Sequence, residues 1–96
     1  MKNNRIQLAH QLQSQGRYEE ALDLYQAVIK EESSPVDAFH GAAILCARQG
    51  NLKKALKLIK KATALQPHDP ILHLHCGNIH LKNNNLDKAI DSYQTA

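Results

Sequence analysis

Tryptophan is absent from this 96-residue sequence, phenylalanine occurs once and tyrosine three times. So few aromatic rings leave little on which the bases of a single-stranded nucleic acid could stack. Only three prolines and four glycines are present, and alternating runs of Val, Ile and Thr are missing, so strands have little support. The two cysteines, Cys46 and Cys76, are too few and too far apart for a disulfide framework or a zinc module, and they read as reduced core residues. No window approaches the roughly 20 apolar residues that a bilayer span requires, and the start MKNNRIQLAH is polar, so neither a signal peptide nor a membrane anchor is expected. These absences leave an all-helical chain with a cytoplasmic setting as the expectation.

What is present is a repeat. SQGRYEEALDLY (Ser14 to Tyr25), RQGNLKKALKLI (Arg48 to Ile59) and KNNNLDKAIDSY (Lys82 to Tyr93) follow one another with a period of 34 residues. Gly16, Gly50 and Asn84 occupy equivalent places, as do Tyr18, Leu52 and Leu86; Ala21, Ala55 and Ala89; and Tyr25, Ile59 and Tyr93. Gly and Asn enter the left-handed backbone region most cheaply and suit a helix end before a tight turn. The alanine five residues later removes bulk where two helix axes approach, and the large residue four beyond it shares its helix face. Each copy therefore spells a helical hairpin, and the period is that of a solenoid.

Taken in order, Ile6, Leu8, Ala9 and Leu12 give a first helix that ends near Gly16, and a second helix carrying Ala21, Leu22, Leu24, Tyr25, Val28 and Ile29 ends near Glu31. Ser34 as N-cap and Pro35 in the first helical position start the third helix, with Asp37 close to its free amides. Leu52 to Leu65 form a lysine-rich fourth helix that Pro67 stops, and Asp69 with Pro70 repeats the cap-then-proline device. The fifth helix holds Leu72, Cys76, Gly77, Ile79 and His80, and the sixth holds Leu86, Ala89, Ile90 and Tyr93. The formal charge of +3 is uneven, because Lys53, Lys54, Lys57, Lys60 and Lys61 all fall in the fourth helix. With no stacking aromatics or reading motif beside it, that stripe reads as a solvated outer face rather than a nucleic-acid site.

On these residues the chain resembles the tetratricopeptide repeat, whose 34-residue unit is a helix A, a turn and a helix B. The resemblance implies an all-α right-handed solenoid occupying residues 1–96 as one domain, with repeats at 2–35, 36–69 and an incomplete 70–96. The family's small residue at position 8 is Ala9, Ala43 and Gly77, and its position 20 is Ala21, Ala55 and Ala89. Arg5 and His73 depart from the pattern at position 4, where a large apolar residue is usual and Phe39 keeps it; Ser33 replaces the proline of the first repeat.

In this family the A helices line a concave groove. Carried over residue by residue, the contact surface is Ile6, Gln7, His10 and Gln13 in the first repeat, with Asn3 and Ser14 at its ends; Asp37, His40, Ile44 and Arg48 in the second, with Gly41 and Ala47; and Ile71, Leu74, His75, Asn78, Leu81 and Lys82 in the third. The implied function is a scaffold that binds a peptide or partner protein in the groove. Chaperone-binding members hold a C-terminal carboxylate at positions that here carry Ile6, His10, Gly41, Ile71 and His75, so a heat-shock-chaperone tail is not expected. The asparagine ladder of repeat domains attached to sugar transferases also fails, since its position reads Gln7, Gly41 and His75. The alternative is that these are N-terminal recognition or dimerisation repeats of a larger bacterial transferase, acting on methyl or glycosyl groups.

No chemistry-bearing constellation competes with that reading. His73 and His75 lie about 200° apart on a helix and cannot face one ion, while His73 and His80 share a face at packing positions. His10, His40 and His75 stand in the groove as ligand contacts. No nucleophile elbow, phosphate loop or metal-binding pair occurs, and Cys46 falls at a packing position. The expectation is a non-enzymatic chain without metal or cofactor, whose partners are proteins rather than nucleic acid or membrane. Its third repeat, lacking a polar cap, is expected either to continue into further chain or to self-associate.

Overall fold

Six helices and no strand make up the described residues of the computed structural model, which are 3–32 and 35–96. They are α1 (Asn3–Ser14), α2 (Tyr18–Glu31), α3 (Val36–Arg48), α4 (Leu52–Leu65), α5 (Pro70–Lys82) and α6 (Leu86–Thr95). Each packs against its neighbour in sequence, and α3 also touches α1 and α5. Among the described residues no such contact joins α2 to α4 or α4 to α6. The layer of α1, α3 and α5 is therefore the tighter, inner side of the curve, and α2, α4 and α6 splay on the outer side. The result is an elongated body of 40 × 25 × 19 Å.

The three turns close alike. Arg17 N–H donates to the Leu12 carbonyl at 2.8 Å, Asn51 N–H to Cys46 and Asn85 N–H to His80 at 2.9 Å, each a bond spanning five residues across a helix end. That closure needs a left-handed residue, supplied by Gly16, Gly50 and Asn84 with φ of 80°, 86° and 59°. Asn51 and Asn85 then cap the following helices, their side chains accepting from the amides of Lys54 and Lys88. Arg17, in the equivalent place, instead pairs with Glu20.

At the other junctions Asp69 accepts from the Ile71 amide at 3.0 Å and Pro70 opens α5, as its spelling implies. The second repeat differs by one residue: α3 begins at Val36, with Pro35 as its cap and its carbonyl accepting from Phe39 N–H at 2.9 Å. No side chain caps α3 from the described residues, and Ser34 lies outside them.

Small residues set the spacing inside each hairpin. Ala9, Ala43, Ala21, Ala55 and Ala89 have no exposure, and a methyl is all the bulk that each adds to the packing around it. The two tyrosines use glycines the same way. A Cβ on Gly41 would stand 2.4 Å from Cζ of Tyr25, and one on Gly77 would stand 2.6 Å from Cε1 of Tyr93. Tyr25 reaches forward onto the next repeat, whereas Tyr93 folds back onto the first helix of its own hairpin.

Both departures at the fourth repeat position find polar partners. Arg5 forms an ion pair with Glu31 across the first hairpin, and His73 Nε2 donates to the Pro67 carbonyl at 2.7 Å. On the sixth helix Ala89 is buried, but Leu86 and Ile90 are 60% and 42% exposed, since among the described residues no element packs over that stripe. Leu8, one of the apolar residues whose spacing marks α1, is likewise exposed.

The glycine beneath Tyr25 gives a measurable consequence. Gly41→Ala gains about 1 kcal/mol of helix propensity, yet it drives a methyl into a ring that is fully buried and cannot yield. Overpacking of this kind costs about 1–3 kcal/mol, so the variant is expected to melt several degrees lower, and Gly41→Ala with Tyr25→Leu should recover part of the loss. Calorimetry showing Gly41→Ala as stable as the parent would refute the close approach.

Candidate functional site

The inner layer brings together part of the expected contact surface. Ile44 and Ala47 of α3 face His75, Asn78, Ile79, Leu81 and Lys82 of α5 across a cavity of about 270 Å³. Its floor is aliphatic, Lys82 and His75 border it, and no carboxylate lines it. The wall is held in place by hydrogen bonds from the outer layer, since Tyr93 Oη donates to Asn78 Oδ1. In the first hairpin Tyr25 Oη donates in the same way to Gln13 Oε1 at 2.9 Å. Burial, with Asp37 adding to it, pushes the Tyr25 hydroxyl up to about 12, so it remains a donor.

Beside this cavity lies a row of histidines, one from each inner helix. His10 packs against the Tyr25 ring at 5.9 Å between centroids, and His40 meets His75 at 4.7 Å with the rings tilted by 53°. His40 Nε2 is enclosed without a hydrogen-bond partner. Burial lowers the proton affinity of both rings, and the neighbouring His75 lowers that of His40 further, against the opposing pull of Asp69 and Asp37. Both are therefore neutral at pH 7. Among the described residues no cluster of three or more metal-ligating side chains occurs.

The remaining contact residues scatter. Ile6 and Asp37 line a separate recess of about 260 Å³ near the start of α3, together with Val28, Glu32 and Gln66. Gln7, Ile71 and Leu74 are exposed and line neither recess. Arg48 turns away to place its guanidinium 4.3 Å above the Tyr18 ring. Gly41 lies under Tyr25 and is buried, which removes it from the contact surface. Ile79 was missed by the position-by-position reading, although its place four residues after His75 on one helix face marks it.

Two other features bear on function. A larger recess of about 610 Å³ lies on the outer face of α4, walled by Lys53, Lys54, Lys57 and Lys60 with Leu56 as its one apolar lining residue. Its walls are exposed lysine stems rather than packed side chains, so its volume carries less weight than that of the inner cavity. Cys46 is buried and burial raises its thiol, with Lys54 opposing, so it stays protonated and unreactive at neutral pH. No helix among the described residues is long and apolar enough to cross a membrane.

Comparison with known proteins adds three findings. Two family models described as "Tetratricopeptide repeat" match residues 6–70 and 47–96. Among curated proteins, the chain is 31% identical over 94 residues to the Arabidopsis thaliana "Probable UDP-N-acetylglucosamine–peptide N-acetylglucosaminyltransferase SPINDLY" and 33% identical over 96 residues to the human "Protein O-mannosyl-transferase TMTC1", covering 98% and 96% of its own length. It spans only 10% and 11% of those relatives. Among solved structures it is similar to the Yersinia enterocolitica type III secretion translocator chaperone SycD, with a TM-score of 0.92 at 18% identity over 98% of this chain and 71% of that one. It is equally similar to PcrH in complex with the chaperone binding region of PopB, with a TM-score of 0.92 at 18% identity over 98% and 76% of the two chains. At such identities these structures establish the shared fold alone.

The buried histidine of α5 sets an acid limit on that fold. His80 is 5% exposed, its Nδ1 has no partner, and burial with Lys88 and Lys60 nearby lowers its proton affinity below the ordinary 6.5. The unfolded chain thus binds more protons than the folded one just below pH 6.5, so the stability held above that pH falls as the solution is acidified. We expect the melting temperature to drop between pH 7.5 and 5.0, and to drop less in His80→Leu. A melting temperature independent of pH in this range would contradict the buried, neutral histidine.

Proposed function

Because the chain belongs to the tetratricopeptide repeat family, we propose that it is a protein-interaction scaffold whose inner face, formed by α1, α3 and α5, binds an extended segment of a partner polypeptide. The observation that carries the reading is the apolar cavity between α3 and α5, bordered by groove residues that include Leu81, 50% exposed. Ile71 and Leu74 extend the apolar character along α5, at 55% and 45% exposure. An uncovered apolar surface on an otherwise polar solenoid marks a site of contact. Helices offer no free backbone edge, so a segment in this groove is held by side-chain pockets and hydrogen bonds. Solved neighbours that include a translocator chaperone, and PcrH in complex with the chaperone binding region of PopB, support a protein partner.

A second reading is favoured by the curated relatives. Two of them are named for sugar transfer to protein, and the chain corresponds to about a tenth of each. Under it these repeats recognise or dimerise on behalf of a transferase in a longer chain, and no catalysis is assigned to the repeats themselves. The two readings use the same groove and differ in what it is attached to. A cytoplasmic setting belongs to the first.

The groove and the lysine face are separable by substitution. Leu74→Ala with His75→Ala should weaken binding of a captured partner by about 1–2 kcal/mol, the size of a modest hot-spot loss. Changing Lys53, Lys57 and Lys60 to Gln should leave it nearly unchanged, and circular dichroism should show both proteins folded. Loss of binding with the lysine changes, and retention with the groove changes, would move the site to α4.

A further inference from the structure

We propose that the cavity between α3 and α5 selects an aliphatic side chain that has a carboxylate on an adjoining residue, with the carboxylate lying over His75 and Lys82. The proposal rests on the groove reading and narrows it to one partner chemistry, an internal acidic-aliphatic segment of a polypeptide. Ile44, Ala47, Ile79 and Leu81 form a surface without hydrogen-bonding side chains, and about 270 Å³ is room for a branched aliphatic group. The rim supplies the charge argument. Lys82 is exposed and appears in no ion pair among the described residues, and no carboxylate lines the cavity to compete for it.

His75 makes the rim responsive. Its ring borders the cavity on one side and meets the His40 ring on the other, at 4.7 Å between centroids. Two imidazoles that close resist carrying two charges, and the enclosed His40 Nε2 has no partner to stabilise a proton. The free pair is accordingly neutral at pH 7, with burial lowering both. The other titratable groups around the pair are His10 from α1, Asp37 from α3 and Asp69 before α5. Asp69 is already engaged with the Ile71 amide. From the helices packed against the far side of α5, Lys60 and Lys88 act on His80. A docked carboxylate is therefore a new counter-charge for His75, raises its proton affinity, and draws a proton into the complex. By linkage the affinity must then rise as pH falls.

The test is selection of random dodecapeptides, amidated at the C-terminus so that every carboxylate comes from a side chain, on the purified 96-residue chain at pH 6.0. Affinities of the selected peptides are then measured at pH 6.0 and 7.5. We expect Leu, Ile or Val beside Asp or Glu to be enriched, with binding about two- to fivefold tighter at pH 6.0, the upper value being what a rise of about one pKa unit on docking gives across this pH window. Glu→Gln in the peptide and His75→Gln in the protein should each remove that difference, while Lys82→Gln should weaken binding at both pH values. Peptides without acids that still depend on Leu74 and Leu81, or affinity that does not change with pH, would overturn this inference and leave the groove reading standing. Binding indifferent to Leu74→Ala and Leu81→Ala, or no enrichment at all, would overturn the groove reading and this inference with it.

Discussion

The close approach of helix backbones at small residues is the constraint on which this molecule depends. Ala9 and Ala21, Ala43 and Ala55, and Ala89 are fully buried in their hairpins, and Gly77 leaves no room for a Cβ beside the Tyr93 ring. Interiors pack to crystal-like density, so an added methyl at such a point displaces whole helices. That narrowness lets the tyrosines act as struts. Tyr25 crosses to Gly41 of the next repeat while its hydroxyl holds Gln13, and Tyr93 presses on Gly77 while its hydroxyl holds Asn78. The inner surface is thus positioned from the outer layer, and its side chains Gln13 and Asn78 are held by rings that belong to the outer helices.

Polar groups inside this scaffold are placed where they limit it. Arg5 and His73 stand where an apolar side chain would be usual, and each finds a partner across or before its hairpin; an exposed ion pair of this kind contributes at most about 1 kcal/mol. His40 and His80 are different, because each encloses a ring nitrogen with no partner. An unsatisfied buried polar atom costs about 1–3 kcal/mol, and here both fall in the second and third repeats, beside the inner cavity and behind it. The part of the solenoid with the best-formed cavity is also the part most sensitive to protons.

Much of the architecture was legible because the signals were local and repeated three times. A left-handed residue is demanded at each turn, and Gly16, Gly50 and Asn84 meet that demand visibly; the alanines report helix proximity as directly. The start of α3 was misplaced by one residue because Pro35 suits a cap as well as a first turn. The exposure of Leu86 and Ile90 is not legible, because periodicity identifies an apolar face but cannot say whether anything covers it. The site was legible only as a set of helix positions. Which of them meet depends on neighbours 30 to 40 residues away, as with Ile44 and Leu81 or His40 and His75. The Tyr25 to Gly41 contact was hidden because it joins two repeats that the repeat pattern describes separately, and it took Gly41 out of the expected surface.

Fold and ligand chemistry are set by different residues in such a repeat, which is why relatives with very different names share this backbone. The turn glycines, the alanines and the large residues of the outer helices hold the register, and they leave the inner positions free to vary. An asparagine ladder along those positions would offer amides to a peptide backbone, a mode of binding with little preference for side chains. This chain has Gln7, Gly41 and His75 there instead, with the glycine sealed beneath Tyr25. A groove with one ladder rung covered and another replaced by a titratable ring cannot grip a backbone evenly along its length. On the proposed groove reading its discrimination would come from the few side chains that line a defined volume, the aliphatic floor between α3 and α5 with His75 and Lys82 at its border.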